Sequence, residues 1–377
     1  QVSCALFAAL GGAAMKQPMK QPMDHPWRSA GVETTARAWS WRACAVAALW
    51  CGLYVVVLLP ALVVYTVVCT FLDAVAAVVS RTPAPAPLRR DARPELVFPG
   101  TCTWVFWQLG MVHYLVERYD LRNVRVVGTS SGAVSAAAIL LLEHGDPSAE
   151  EVRKRALKLH ERLDAKLERI TGHPLAYVGR LDGVMAELLD ESLPRDDAAY
   201  RTDRILIGLR RWTWTPLPSL SPAVSQRFSG RADFARAALA SANAPPIASL
   251  RPAIRYAGAW CADGVNAFSL WCAVPYMCAV MRGAAVAAPR ETVNGAAALP
   301  WNHIYAAWNW PVLDHVLQRT RGRRYFVTPT AGGHVDLSRL LLVSRRWVAT
   351  LWADGYRHAA ALDAGGYFEG LAQRRAV

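Results

Sequence analysis

Residues 124–140 read Val-Arg-Val-Val-Gly128-Thr-Ser130-Ser-Gly132-Ala-Val-Ser-Ala-Ala-Ala-Ile-Leu, a pattern with few structural solutions. The β-branched run predicts a buried strand and the alanine-rich apolar run a helix, with no room between them for more than a sharp turn. Gly128 and Gly132 lie two residues either side of Ser130. In a strand-to-helix elbow such glycines let the backbone turn and let neighbouring segments approach, so the serine stands at a helix N-terminus as a nucleophile. A bare G-x-S-x-G match is expected by chance in about one chain in ten of this length. It is the strand before it and the helix after it that make this one specific.

The surrounding pattern repeats the same logic. A short strand at residues 95–99 is followed by a loop at 100–103 and an amphipathic helical run at 104–119, and then comes the elbow. Strand, helix, strand, helix predicts an α/β domain with a mainly parallel sheet flanked by helices. Residues 147–200 read as mainly helical, 204–209 as a strand, 234–242 as a helix that stops before Pro245-Pro246, and 255–261 as a strand ending at Asp263-Gly264. The tail at 340–361 reads as one or two closing helices.

Ahead of this domain, residues 1–42 are polar and contain the near-repeat Met-Lys-Gln-Pro-Met-Lys-Gln-Pro-Met, which predicts disorder. Residues 43–72 then pass without a charge. That is longer than the roughly 20 residues needed to cross a bilayer, so 43–79 is assigned as a transmembrane segment, single-pass or, with Pro60 at a tip, a hairpin. Tryptophans 39, 41 and 50 suit an interfacial belt, and basic residues flank both ends. Residues 80–94, with Pro83, Pro85 and Pro87, form a stiff linker to the folded domain at 95–377. Localisation at a membrane is the expectation.

Composition narrows the chemistry. The apolar fraction of 53% supports a sizeable core, and the formal net charge of +13 favours anionic partners such as a lipid surface. No nucleic-acid-binding signature accompanies the charge. The eight cysteines include no C-x-x-C pair, and neither a metal-ligand cluster nor a phosphate or dinucleotide fingerprint is present, so no cofactor is expected.

Four features arrive in one order: Phe98-Pro99-Gly100, the elbow Gly128 to Gly132, Ala240-Ser241-Ala242-Asn243-Ala244-Pro245, and Asp263-Gly264. In that order they resemble the patatin-like lipid acyl hydrolases, and Phe106-Trp107-Gln108-Leu109-Gly110 is similar to a plant and algal branch of that family. The resemblance runs from about residue 95 to about residue 365. It implies a patatin-like three-layer fold and a Ser-Asp dyad, with Ser130 as nucleophile and Asp263 as base, cleaving glycerolipid esters through an acyl-enzyme. A positioned carboxylate suffices for such a reaction when it reaches the hydroxyl directly.

Relatives carry a glycine cluster in the loop after the first strand, where backbone N–H groups meet the oxyanion. Here that loop is Gly100, Thr101 and Cys102, and only Gly100 is a glycine. Two outcomes fit this departure: a repositioned oxyanion hole, or a non-catalytic relative that kept the fold. A Ser-His-Asp triad is the other alternative, with His334 and His358 as its best-placed histidines.

Overall fold

The computed structural model describes residues 93–101, 104–170, 177, 179–214, 218–245, 248–264, 324–326 and 345–374, and, before them, positions 56, 60, 64, 67–69, 71, 72 and 75. The expected disordered segment 1–42, most of the apolar segment 43–79 and of the linker, and His334 lie outside the described residues.

A mixed sheet forms the centre. Strand β1 (Glu95–Phe98) pairs in parallel with β2 (Arg125–Thr129), and β2 in parallel with β3 (Ile205–Thr213). Beyond β1, β7 (Arg324–Phe326) adds a further parallel strand. The other end of β3 is antiparallel territory, where it meets β4 (Ser219–Ser225) and β6 (Ala259–Ala262), and β6 pairs with β5 (Ile254–Tyr256). Mixed α/β architecture with a parallel centre is as the sequence predicts. Three strands are not. Pro222 sits inside β4 and has no N–H for a ladder, which disguises this strand in the sequence. The expected single strand at 255–261 is a hairpin instead, because Ala257 and Gly258 both take positive φ (46° and 77°), the signature of a tight two-residue turn. At three residues, β7 is too short to show a period.

Helices flank the sheet. Helix α1 (Val105–Arg118) is followed, after β2, by α2 (Ser131–Glu143), α3 (Ala149–Glu168), α4 (Leu181–Ser192), α5 (Arg231–Ser241) and the closing α6 (Arg345–Ala364). Ser148 caps α3, accepting the Glu151 N–H at 3.2 Å, and Glu150 and Glu151 in the first turn suit the positive end of the helix dipole. Helix α3 has a solvated face, with Arg153, Lys154, Lys158 and Glu161 exposed. Helix α1 is buried from Val105 to Glu117, so the amphipathic expectation is corrected. Its polar residues are paired within the protein rather than turned to water: His113 accepts from Trp352 Nε1 at 3.5 Å, and Glu117 accepts from Tyr356 at 3.0 Å and from Arg153.

Two glycines explain how α1 and α6 pack so closely. A Cβ at Gly110 would lie 2.0 Å from the Trp352 carbonyl oxygen, and one at Gly355 would lie 2.0 Å from that of Trp107. Any side chain at either position would force the helices apart. At the base of the sheet, Glu95 and Arg125 face each other in register on β1 and β2 and form a buried ion pair at 3.0 Å. The tail returns to α1, with the Arg374 N–H donating to Arg118 O at 2.8 Å.

No helix among the described residues is long and apolar enough to cross a membrane. Cys69 and Leu72, from the end of the apolar run, are buried against Leu220 and Ala262, whereas Val64, Val67, Val68 and Phe71 are exposed.

Candidate active site

The register of β3 brings together two residues that are far apart in sequence. One edge of β3 is occupied by β4 along residues 207–213. The opposite edge is shared: β2 runs along it until Thr129 pairs with Gly208, and β6 runs along it in the other direction until Ala262 pairs with Arg210. The next residues of these two strands, Ser130 and Asp263, therefore meet end to end beside Leu209. The Ser130 hydroxyl donates to Asp263 Oδ2 at 2.9 Å.

Ser130 lies between β2 and α2 with φ 53° and ψ −131°. This conformation is outside the basins that a side-chain-bearing residue normally occupies and marks a strained strand-to-helix turn. Its glycines answer to close approach. A Cβ at Gly132 would lie 1.9 Å from the Phe98 carbonyl oxygen, and one at Gly128 would lie 2.6 Å from that of Gly132. Both side chains of the pair are buried, Ser130 at 6% exposure and Asp263 at 4%.

Ser241, at the end of α5, ties the strands around this point. Its hydroxyl accepts the Ser130 N–H at 2.8 Å and donates to Gly208 O at 2.6 Å, while its own carbonyl accepts the Gly264 N–H at 3.0 Å. The buried Arg210 donates from Nε to the Asp263 carbonyl at 2.7 Å. Gly264 is equally confined, since a Cβ there would lie 2.8 Å from Gly208 O. In the sequence Ser241 is marked only as part of a motif, and Arg210 only as one of a basic pair, Arg210-Arg211, directly after the strand expected at 204–209. An arginine that continues the apolar run Ile205-Leu-Ile-Gly-Leu is the signal that was available.

The loop after β1 lies over the elbow. Gln108 holds its start, donating from Nε2 to Pro99 O at 3.0 Å and accepting from Ser135 at 3.0 Å. The Thr101 N–H donates to Ser131 Oγ at 2.7 Å, and the two hydroxyls are 3.1 Å apart. Of the three expected oxyanion-loop residues, Gly100 and Thr101 are described and Cys102 lies outside the described residues.

Among the described residues, Asp263 is the hydrogen-bond partner of the Ser130 hydroxyl, and no histidine takes that place. The imidazole of His358 instead packs on the Trp107 ring, centroids 5.4 Å apart, and burial pushes its pKa down to about 4. Burial also lowers that of His160, which stacks edge-on against Trp352. No group of three or more His, Cys, Asp or Glu side chains among the described residues is gathered as a metal ion would require.

An elbow serine hydrogen-bonded to a carboxylate, at the C-terminal ends of strands in an α/β sheet, is an arrangement suited to ester cleavage. No curated protein matches the chain. Residues 96–269, which begin in β1 and run past Asp263, match the family model described as patatin-like phospholipase, and over that span the chain is similar to that family.

Proposed function

We propose that this protein is a membrane-anchored serine lipid acyl hydrolase that cleaves glycerolipid esters through a Ser130–Asp263 dyad. The observation that carries the reading is the 2.9 Å hydrogen bond from Ser130 to Asp263 in a strained elbow. Asp263 takes the hydroxyl proton as Ser130 attacks the ester carbonyl, and returns it to the departing alcohol. Water, activated by the same carboxylate, then releases the fatty acid from the acyl-enzyme. The loop at Gly100, Thr101 and Cys102 and the first turn of α2 are assigned to the oxyanion, since the leading N–H groups of a helix lack partners within it.

Membrane anchoring is supported by the uncharged run at 43–72 within the segment 43–79, and by the net charge of +13. The linker at 80–94 would keep the domain at 95–377 close to the bilayer and raise the local concentration of lipid. Trp214 and Trp260 are exposed and suit contact with a lipid surface.

A non-catalytic reading draws on the Thr101 N–H, which donates to Ser131 rather than into open space. Two measurements separate the readings: covalent labelling by a fluorophosphonate, and fatty-acid release from phospholipid, galactolipid and triglyceride. The wild type is expected to label and to release fatty acid, and Ser130→Ala and Asp263→Asn to lose both. A folded wild type that neither labels nor hydrolyses any of the three lipids would refute the hydrolase.

A further inference from the structure

The hydroxyl pair Thr101–Ser131 has one proton more than it can use. Both residues are more than nine-tenths buried, at 6% and 9% exposure, and Ser131 directly follows Ser130. Ser131 Oγ already accepts the Thr101 N–H at 2.7 Å. At 3.1 Å, either hydroxyl can donate to the other. If Thr101 donates, both lone pairs of Ser131 Oγ are filled and the Ser131 proton has no acceptor within the pair; if Ser131 donates, the Thr101 proton is the one left over. Among the described residues no further acceptor serves either hydroxyl. A buried O–H donor is costly to leave without a partner, and the site's own chemistry supplies one.

We propose that the Ser131 hydroxyl, oriented by Thr101, is a hydrogen-bond donor to the oxyanion, in the place that a glycine-loop N–H would otherwise take. The inference rests on the hydrolase reading above. Ser131 follows the nucleophile and opens α2, so the carbonyl oxygen of an ester attacked by Ser130 gains its charge next to this hydroxyl and the positive end of the helix. In the addition step the bond from Ser130 Oγ to the carbonyl carbon forms, the carbonyl π pair moves to oxygen, and the Ser130 proton passes to Asp263. Ser131 donates a hydrogen bond throughout and keeps its proton. On collapse the carbonyl re-forms, the ester C–O bond breaks, and the alcohol leaves with the proton from Asp263. Side-chain hydroxyls act in this way as well as backbone amides. Thr101 is then part of the site: it brings the second hydroxyl that aims the first.

The test uses the full chain in detergent micelles with p-nitrophenyl butyrate, a soluble ester that needs no membrane presentation. Ser131→Ala is expected to lower kcat by about 10²-fold. Its KM should stay within about two-fold, because the interaction is made in the transition state. Ser131→Thr restores a hydroxyl and should recover most of that loss. Thr101→Val keeps the N–H but removes the orienting hydroxyl, and should cost about tenfold or less in kcat. Melting temperatures of all variants check folding. A Ser131→Ala enzyme with wild-type kcat, beside an inactive Ser130→Ala control, overturns this proposal and leaves the hydrolase standing; so does an equal loss in Ser131→Ala and Ser131→Thr. A wild type with no turnover of the ester overturns both.

Discussion

Replacing Ser130 by glycine and, separately, by alanine isolates the strain in the elbow. Both variants lose the same hydroxyl and the same hydrogen bond to Asp263, so their difference reports the backbone at φ 53° and ψ −131°. A residue with a Cβ held in such a region costs about 1–3 kcal/mol, and the ψ value, far from the left-handed helical basin, argues for the upper part of that range. Two effects oppose it. Glycine adds about 0.4–1 kcal/mol of conformational freedom to the unfolded chain. The missing Cβ forfeits up to about 0.8 kcal/mol of buried contact. The balance favours Ser130→Gly over Ser130→Ala by about 1 kcal/mol. For a domain of this size that is about 2–4 °C in melting temperature. Differential scanning calorimetry of the two inactive variants in one buffer measures it directly. If alanine melts at the same temperature as glycine or above it, the elbow is not strained as its dihedrals imply.

Other perturbations have equally definite outcomes. Gly132→Ala puts a methyl 1.9 Å from the Phe98 carbonyl, so β1 and α2 must separate; a loss of more than about 3 kcal/mol in urea titration is expected. Ser241→Ala removes the acceptor of the Ser130 N–H and should cost about 1–3 kcal/mol, with ester turnover falling as the elbow loosens. Glu95→Ala removes the buried carboxylate that faces Arg125, for a loss of about 3–5 kcal/mol, whereas a paired apolar replacement of both should be far milder. His358 supplies a pH dependence. Its folded pKa of about 4 lies below the unfolded value of 6.5, so the unfolded chain binds more protons between them. Its contribution is intact above pH 6.5 and is lost as pH falls toward 4, and His358→Leu should flatten the fall of melting temperature across that window.

Much of the site is written locally, and its assembly is not. Gly128, Ser130 and Gly132 declare a turn through their spacing, because the steric demands of an elbow act within five residues. Asp263 stands out only as the end of a strand. What joins them is the register of β3, where Gly208 and Arg210 pair with Thr129 and Ala262, and no local pattern encodes that 133-residue crossing. The same reason hides Arg210 and the Thr101–Ser131 contact, both of which depend on chain segments brought together by the sheet. Burial also misleads when polar residues find internal partners. Gln108, His113 and Glu117 give α1 the look of a solvated face, yet each is bonded inside the protein.

The paired glycines at the crossing of α1 and α6 bear on how the polypeptide must be made. Helix α1 is synthesised early and its partner more than two hundred residues later, so the face of α1 around Gly110 leaves the ribosome without the helix that will cover it. A nascent chain interrupted before residue 345 would hold a complete Ser130–Asp263 pair on a domain whose α1 already packs on α2 and α3 but lacks α6 on its glycine face. Such a product is a natural client for chaperones and an early target for proteolysis.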